Sequence, residues 1–354
     1  MWSNGPVLHA GARARPLLRP AWQYRTLVAP TSGIGSAMTV AQRPITTLTL
    51  NPALDVSARV DAVVAGPKLR LRDVVEEPGG GGVNVSRAIV ALGGRSRALV
   101  ALAGSTGTRH AALMKEAGVD PDRIPLKGET RQSLTVTDDA GAQFRFVLPG
   151  PEWCDTASAA VLEHVRTGEP GLVVLSGSQP PGLTDTFPLD LTRALGSHGQ
   201  LVIDTSGPAL QCLVRAPQPG AQPHVLRMDQ AESEALAGDC LDDVAASTRF
   251  AQALIAAGVA ELVIVARGAD GSVLAGRGVT LHCAPPEVTV RSKVGAGDSF
   301  TAAFALSLAR DDGLEQALAH GTAAAAAAVM TEASALCRAQ DVARILPRCR
   351  LQRL

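Results

Sequence analysis

Aromatic side chains are scarce, net charge is nil, and no apolar run is long. Each absence removes a class of protein. Phe, Trp and Tyr together make up 3% of the 354 residues, so the core must be built from Ala, Val, Leu and Ile. Lys plus Arg and Asp plus Glu are 33 each, which leaves no global field to attract nucleic acid or an acidic membrane. No apolar stretch approaches the ~18 residues that span a bilayer. None of the six cysteines forms a C-x-x-C pair, and their spacing suggests neither a zinc site nor a disulfide framework. Reduced thiols in a cytoplasmic protein are expected.

Acidic residues are missing from the first 54 positions, which carry arginines but no Asp or Glu before Asp55. Residues 1–44 read as a disordered leader, or as one present only through the choice of an upstream start codon, with Met38 as a later start. An organellar targeting signal is the alternative, since such leaders are Arg-bearing and acid-poor. The remaining length suits a single α/β domain with an appended lid.

What is present from residue 45 is an alternation. Short apolar runs occur at Ile45–Leu50, Ala98–Ala103, Leu172–Leu175, Leu201–Ile203 and Leu262–Ala266. Between them lie stretches of helical periodicity, among them Val85–Leu92, Ala157–Val165, Asp243–Ala257 and Gly313–Met330. Apolar strands separated by helices predict a mostly parallel sheet buried on both faces. Two stretches break this rhythm. Lys68–Val75 reads as a strand, and Arg131–Val136 with Gln143–Leu148 reads as a hairpin. They predict a small antiparallel sheet lying over the main one, with segments near 56–76 and 130–150.

Three motifs carry chemistry. The glycine-rich Val294-Gly295-Ala296-Gly297-Asp298 feeds a helix predicted over Ser299–Ala309. Such a turn points backbone N–H groups, and the positive end of the helix dipole, at one spot that suits a phosphate. Asp298 beside it could take a proton from an attacking hydroxyl, or serve only as an N-cap. The second motif, Glu77-Pro78-Gly79-Gly80-Gly81-Gly82-Val83-Asn84, precedes a helix predicted to start at Val85. Its glycines allow close approach of a ligand to the backbone, and the Asn84 amide could bond sugar hydroxyls. The third is Asn51-Pro52-Ala53-Leu54-Asp55 after the first strand. Asp55 near a strand's carboxyl end could hold two hydroxyls, or only close an Asx-turn. Charge placement adds a fourth signal. Lys68, Arg70 and Arg72 alternate with leucines, so on a strand they share one face. With Arg131 and Arg145 they suit a phosphate that is not transferred; the alternative is an edge strand guarded by charge.

Together these motifs resemble the PfkB-type sugar kinases of the ribokinase-like superfamily, over roughly residues 45–350. The resemblance implies a three-layer αβα sandwich with a β-sheet lid. It also implies transfer of the ATP γ-phosphate to a sugar alcohol with Mg²⁺ as counter-ion, and lid pairing in a homodimer. The segments EPGGGGVNVSRAIVALGG from Glu77, TRQ from Thr130, QFRFVLPG from Gln143, SGSQPPG from Ser176 and IDTSGPAL from Ile203 look like the branch of minor bacterial 6-phosphofructokinases. That branch makes fructose 1,6-bisphosphate from fructose 6-phosphate. Related 1-phosphofructokinases and tagatose-6-phosphate kinases, the alternative, usually place a lysine in the glycine loop, where this chain has only glycine. From the resemblance, Gly295, Ala296 and Gly297 form the anion hole beside Asp298. Asp55, Gly80, Gly81 and Asn84 hold the sugar, and Lys68, Arg70, Arg131 and Ser178 hold its phosphate.

The nucleotide side departs from the family. Arg227-Met228-Asp229-Gln230-Ala231-Glu232 stands where Lys-Pro-Asn and a following acidic residue are usual, so Asp229 and Glu232 are the candidates to hold Mg²⁺ through water. Ala266, before Arg267-Gly268, replaces a hydroxyl residue, and Lys293 replaces a small one. Arg227, Asp229, Gly268 and Lys293 are the candidate nucleotide-binding residues. A reading of another class follows from these departures: a catalytically weakened sugar-phosphate sensor.

Overall fold

The computed structural model describes residues 41–332 and 335–354. The leader expectation therefore lies outside the described residues except at its end. There Arg43, assigned to the leader, is part of the folded body: its N–H donates to Ala309 O at 2.8 Å and its guanidinium to Leu308 O and Gln200.

The strands in chain order are β1 (Ile45–Thr49), β2 (Ala53–Val60), β3 (Arg72–Gly79), β4 (Arg97–Leu102), β5 (Pro121–Pro125), β6 (Arg131–Asp138) and β7 (Gln143–Val147). There follow β8 (Leu172–Ser176), β9 (Gln200–Asp204), β10 (Val225–Asp229), β11 (Leu262–Ala266), β12 (Ser272–Gly276), β13 (Val279–Ala284) and β14 (Arg350–Arg353). The helices are α1 (Gly81–Ala91), α2 (Gly104–Glu116), α3 (Asp155–Thr167), α4 (Phe187–Leu195) and α5 (Gly207–Arg215). Then come α6 (Gln230–Ala237), α7 (Val244–Ala256), α8 (Ala296–Ala309), α9 (Leu314–Val329) and α10 (Ala339–Ile345).

Ten strands form one sheet in the order β14-β13-β12-β11-β10-β9-β8-β1-β4-β5. Strands β5 through β11 in that order run parallel, and β12 to β14 close one edge antiparallel. Successive residues of one strand feed opposite cores, as the two-residue period requires. Leu172 and Val174 pack with Ile89, Phe300 and Ala324 on the side of α1, α8 and α9. Val173 and Leu175 pack with Val161, Leu191 and Leu213 on the side of α3, α4 and α5. This double burial is why the strands read as unbroken apolar runs, and it gives the expected three-layer sandwich. The alanine tract of α9 is a packed helix. Gly321 lies within α9, and a Cβ there would come 2.9 Å from the Phe300 ring; the bare backbone makes room for the ring, which stacks on Phe304 at 5.9 Å.

The second sheet has the order β3-β2-β6-β7. It corrects three expectations. The sheet is mixed, not antiparallel, because β2 runs parallel to β6. It begins at Ala53, so Asp55 is a residue of this sheet and not of the main one. The strand expected over Lys68–Val75 starts only at Arg72. Lys68 and Arg70 lie in the exposed connection before it, and the shared cationic face does not form. Arg72 instead pairs with Asp61 and Asp139, two carboxylates of the lid itself.

Candidate active site

β1 stands between β8 and β4, so the chain leaves it in one direction and later resumes on its other side. Such a switch opens a crevice at the carboxyl ends of the strands. Ser176 and Gly177 at the end of β8, Asp204 at the end of β9 and Arg227 of β10 line a cleft of about 200 Å³ there, together with Glu232, Gly297 and Asp298. A neighbouring cavity of about 580 Å³ is lined by Asn51, Arg131, Gly150 and Ser178, and shares Ser206 with the first.

Asp298 sits at the third position of α8, because the helix begins at Ala296 rather than at Ser299. Gly295 caps it at φ +75°, where a Cβ would also press to 2.8 Å from Leu336; glycine is the residue that permits this turn. The first amides of the helix have no intrahelical acceptor, so they and the helix dipole favour an anion. Asp298 accepts from Asn84 Nδ2 at 3.0 Å and from Ser176 Oγ at 3.5 Å. Burial pushes its pKa up to about 6; the nearby Asp204 adds to the rise, while Asn84 and Arg227 oppose it.

The glycine loop is shorter than expected. Helix α1 starts at Gly81, with Gly80 as its cap. A Cβ on Gly81 would lie 2.4 Å from Ser176 Oγ and 2.7 Å from Gly177 N. At Gly81 the bare backbone is thus required by the end of β8, which it lets α1 touch. That contact brings Asn84 within reach of Asp298.

Asp55 occupies β2, an inner lid strand, opposite Glu77 of β3 and Ser133 of β6. Burial raises its pKa to about 6 against the pull of Arg131, with Glu77 adding to the rise. Arg131 donates from Nε and Nη2 to Asn51 O at 3.3 and 3.1 Å, and Asn51 Nδ2 donates to Ser178 Oγ at 3.3 Å. Asn51 thus joins Arg131 of the lid to Ser178 beyond β8, and Asp55 feels the Arg131 charge. Of the predicted sugar-site residues only Arg131 and Ser178 line a cavity; Asp55, Lys68, Arg70, Gly80, Gly81 and Asn84 line neither.

On the nucleotide side, Arg227 is locked. Its Nη1 donates to Asp204 Oδ1 at 3.1 Å, and the guanidinium lies 5.8 Å from the Phe300 ring centroid. Asp229 and Glu232 form a reciprocal cap on α6: Asp229 Oδ1 accepts from Glu232 N, and Glu232 Oε2 from Asp229 N, both at 2.9 Å. Only Glu232 also lines the cleft; Asp229 is exposed. Gly268 opens an exposed 3-10 turn after β11, and Lys293 lies on an exposed loop. Arg267 turns inward to Leu241 O and Ser247 Oγ, at 2.6 Å each, so it does not supply the donor missing at Ala266.

Asp204 was not legible as a site residue, yet it binds Arg227 and accepts from Thr301 Oγ1 at 2.8 Å. An acidic residue closing the apolar run Leu201–Ile203 was the available signal, of the same kind that marks Asp55.

The family model for "pfkB family carbohydrate kinase" matches residues 49–340. ATP-dependent 6-phosphofructokinase isozyme 2 of Mycobacterium tuberculosis is 37% identical over 306 residues, 85% of this chain and 88% of that protein. The protein of the same name in Escherichia coli is 34% identical over 304 residues, 85% and 97% of the two chains. The structure of E. coli phosphofructokinase-2 in complex with fructose-6-phosphate superposes with a TM-score of 0.78 at 33% identity, covering 86% of this chain and 99% of that one. A glycine-capped helix presenting a half-buried aspartate to the switch-point crevice, under a four-stranded lid, and these matches over most of the chain place the protein in the pfkB family of carbohydrate kinases.

Proposed function

We propose that the chain transfers the γ-phosphoryl group of ATP to the 1-hydroxyl of fructose 6-phosphate, giving fructose 1,6-bisphosphate and ADP. The observation that carries this is Asp298, raised to a pKa of about 6 at the amide-rich start of α8, beside a cavity that holds Arg131 and Ser178. Asp298 accepts the hydroxyl proton as the oxygen attacks phosphorus, and the α8 amides face the charge on the phosphoryl oxygens. Arg131 and Ser178 hold the phosphate that is not transferred, and Asp55 orients the sugar hydroxyls. The names of the relatives at 37% and 34% identity support this acceptor.

The donor set in the cleft fits a magnesium ion carried by phosphate oxygens and water. Glu232 lines the cleft with one carboxylate oxygen outside the α6 cap, and no group of three or more metal-ligating side chains occurs among the described residues. Through water it would help hold Mg²⁺, which neutralises phosphate charge when bound. The lid leaves Val74, Val75, Phe146 and Val147 exposed on its two outer strands. A second copy pairing there would cover them and leave Lys68 and Arg70 to reach the partner's sugar phosphate. No described helix is long and apolar enough to cross a membrane.

A coupled assay of ADP release tests the reaction on fructose 6-phosphate, fructose 1-phosphate, tagatose 6-phosphate and fructose. Fructose 6-phosphate is expected to have the highest kcat/KM. Equal turnover of fructose would sink the phosphate-gripping lid. Tight binding of the sugar phosphate with no ADP release would make the protein a sensor, the reading that Ala266 and the locked Arg227 favour.

A further inference from the structure

Asn84 carries two hydrogen bonds that run in opposite senses. Its Nδ2 donates to Asp298 Oδ2 at 3.0 Å, and its Oδ1 accepts from Arg87 Nη1 at 3.1 Å. A carboxamide presents oxygen at one end and NH₂ at the other in nearly the same shape, so its orientation is set by its partners. A guanidinium has donors and no acceptor, so Arg87 can hold only the oxygen. An ionised carboxylate has acceptors and no donor, so Asp298 can bond only the NH₂. Arg87 is itself fixed, three residues along α1 from Asn84, by Glu77 Oε1 at 3.1 Å and Pro78 O at 3.3 Å. Both of these partners belong to lid strand β3.

We infer that Arg87 is a positioning residue for phosphoryl transfer: by holding the oxygen of the Asn84 amide it keeps the NH₂ on Asp298, and so ties lid strand β3 to the ionisation of the general base. The inference rests on Asp298 being that base. Without the Arg87 donor the amide can turn its oxygen toward Asp298, setting acceptor against acceptor and favouring the protonated acid. The other groups facing Asp298 are Ser176 on β8, Asp204 on β9 and Arg227 on β10. None of them is bonded to Arg87.

The test is the pH dependence of kcat at saturating fructose 6-phosphate and MgATP. Because Arg87 also draws the pKa of Asp55 down, the comparison is made in an Asp55→Asn background, whose acid limb reports Asp298 alone, between that parent and its Arg87→Met, Arg87→Lys, Asn84→Ala and Arg87→Met/Asn84→Ala variants. In Arg87→Met the acid limb is expected to move up by about half a pH unit or more, roughly threefold in the ionisation constant. Lysine, which keeps a donor, restores most of the parent limb. In the Asn84→Ala background Arg87→Met adds no further shift. An unmoved limb in Arg87→Met, with only melting temperature or KM changed, would reduce Arg87 to an anchor of β3 and overturn the inference. The same shift on top of Asn84→Ala would overturn it too, since the guanidinium would then be acting through space. Should Arg87→Met not fold, Arg87→Ala, which removes the donor without placing new bulk against β3, carries the test, and an unmoved limb refutes the coupling. A wild type without turnover takes down the base assignment and this inference together. An active wild type with an unmoved limb removes this inference alone.

Discussion

Replacing Asp298 with asparagine is expected to abolish catalysis and, at the same time, to stabilise the fold. The rate follows from the loss of a base: an amide cannot take the hydroxyl proton, and general-base loss costs ~10²–10⁴ in kcat. The stability follows from linkage. The carboxyl titrates at 3.8 when free and at about 6 in the folded protein, chiefly through burial and secondly through Asp204. The native state therefore binds more protons than the unfolded state between these values, and stability falls as pH rises through that window. At ~1.4 kcal/mol per pKa unit, the ionised Asp298 costs the fold up to ~3 kcal/mol above pH 7, and ~2 kcal/mol once its partial exposure to the cleft is allowed for. Below the unfolded value both states are protonated and the cost vanishes. Asparagine carries no charge, and its oxygen can still accept from Asn84 Nδ2. Urea melts at pH 8 should thus show Asp298→Asn more stable than wild type by ~2 kcal/mol, shrinking to ~0.5 kcal/mol or less at pH 4. A variant that is less stable at pH 8, or whose gain does not change with pH, would refute the claim that the site holds an unfavourable charge. Wild-type-like kcat would remove Asp298 from the base role.

Arg131→Ala should raise KM for fructose 6-phosphate ~10- to 100-fold, the equivalent of charge-assisted hydrogen bonds worth ~1.5–3 kcal/mol, and leave KM for ATP nearly unchanged in steady-state kinetics. Asp55 and Asp298 are both raised to about 6, so both must lose a proton as pH rises through that value; log kcat of the wild type should fall with a slope steeper than one below it, and Asp55→Asn should return the slope toward one. Gly81→Ala would drive a Cβ into Ser176 and the Gly177 backbone; overpacking of this kind costs ~1–3 kcal/mol, so both melting temperature and kcat should drop, and an unchanged melting temperature would show that α1 does not press on β8. Phe146→Asp should shift sedimentation toward monomer, and no change in mass would place the subunit contact elsewhere than the lid.

The sequence alone determined the layers and the reactive ends. Leu172–Leu175 and Leu262–Ala266 are buried on both faces, a demand that local composition records, and the period of Gly313–Met330 marks a helix whatever it packs against. Gly295 needs glycine for its own backbone, at φ +75°, so the anion-binding helix start and Asp298 could be found without knowing what lies opposite. Tertiary structure alone decided which residues meet. Asp298 touches Asn84 across 214 positions because β1 is inserted between β8 and β4, an order no local pattern encodes. The pairing of β9 with β10 puts Asp204 against Arg227 and turns a candidate nucleotide ligand into half of a part-buried ion pair. Asp229 and Glu232 had the spacing of a metal pair and of a capping box alike, and the helix that begins between them chose the second. Lys68 and Arg70 alternate with leucines as a strand would, but the lid ladder opens only at Arg72. Strand pairing is a bond to another segment, and the residues of one segment cannot state where it begins.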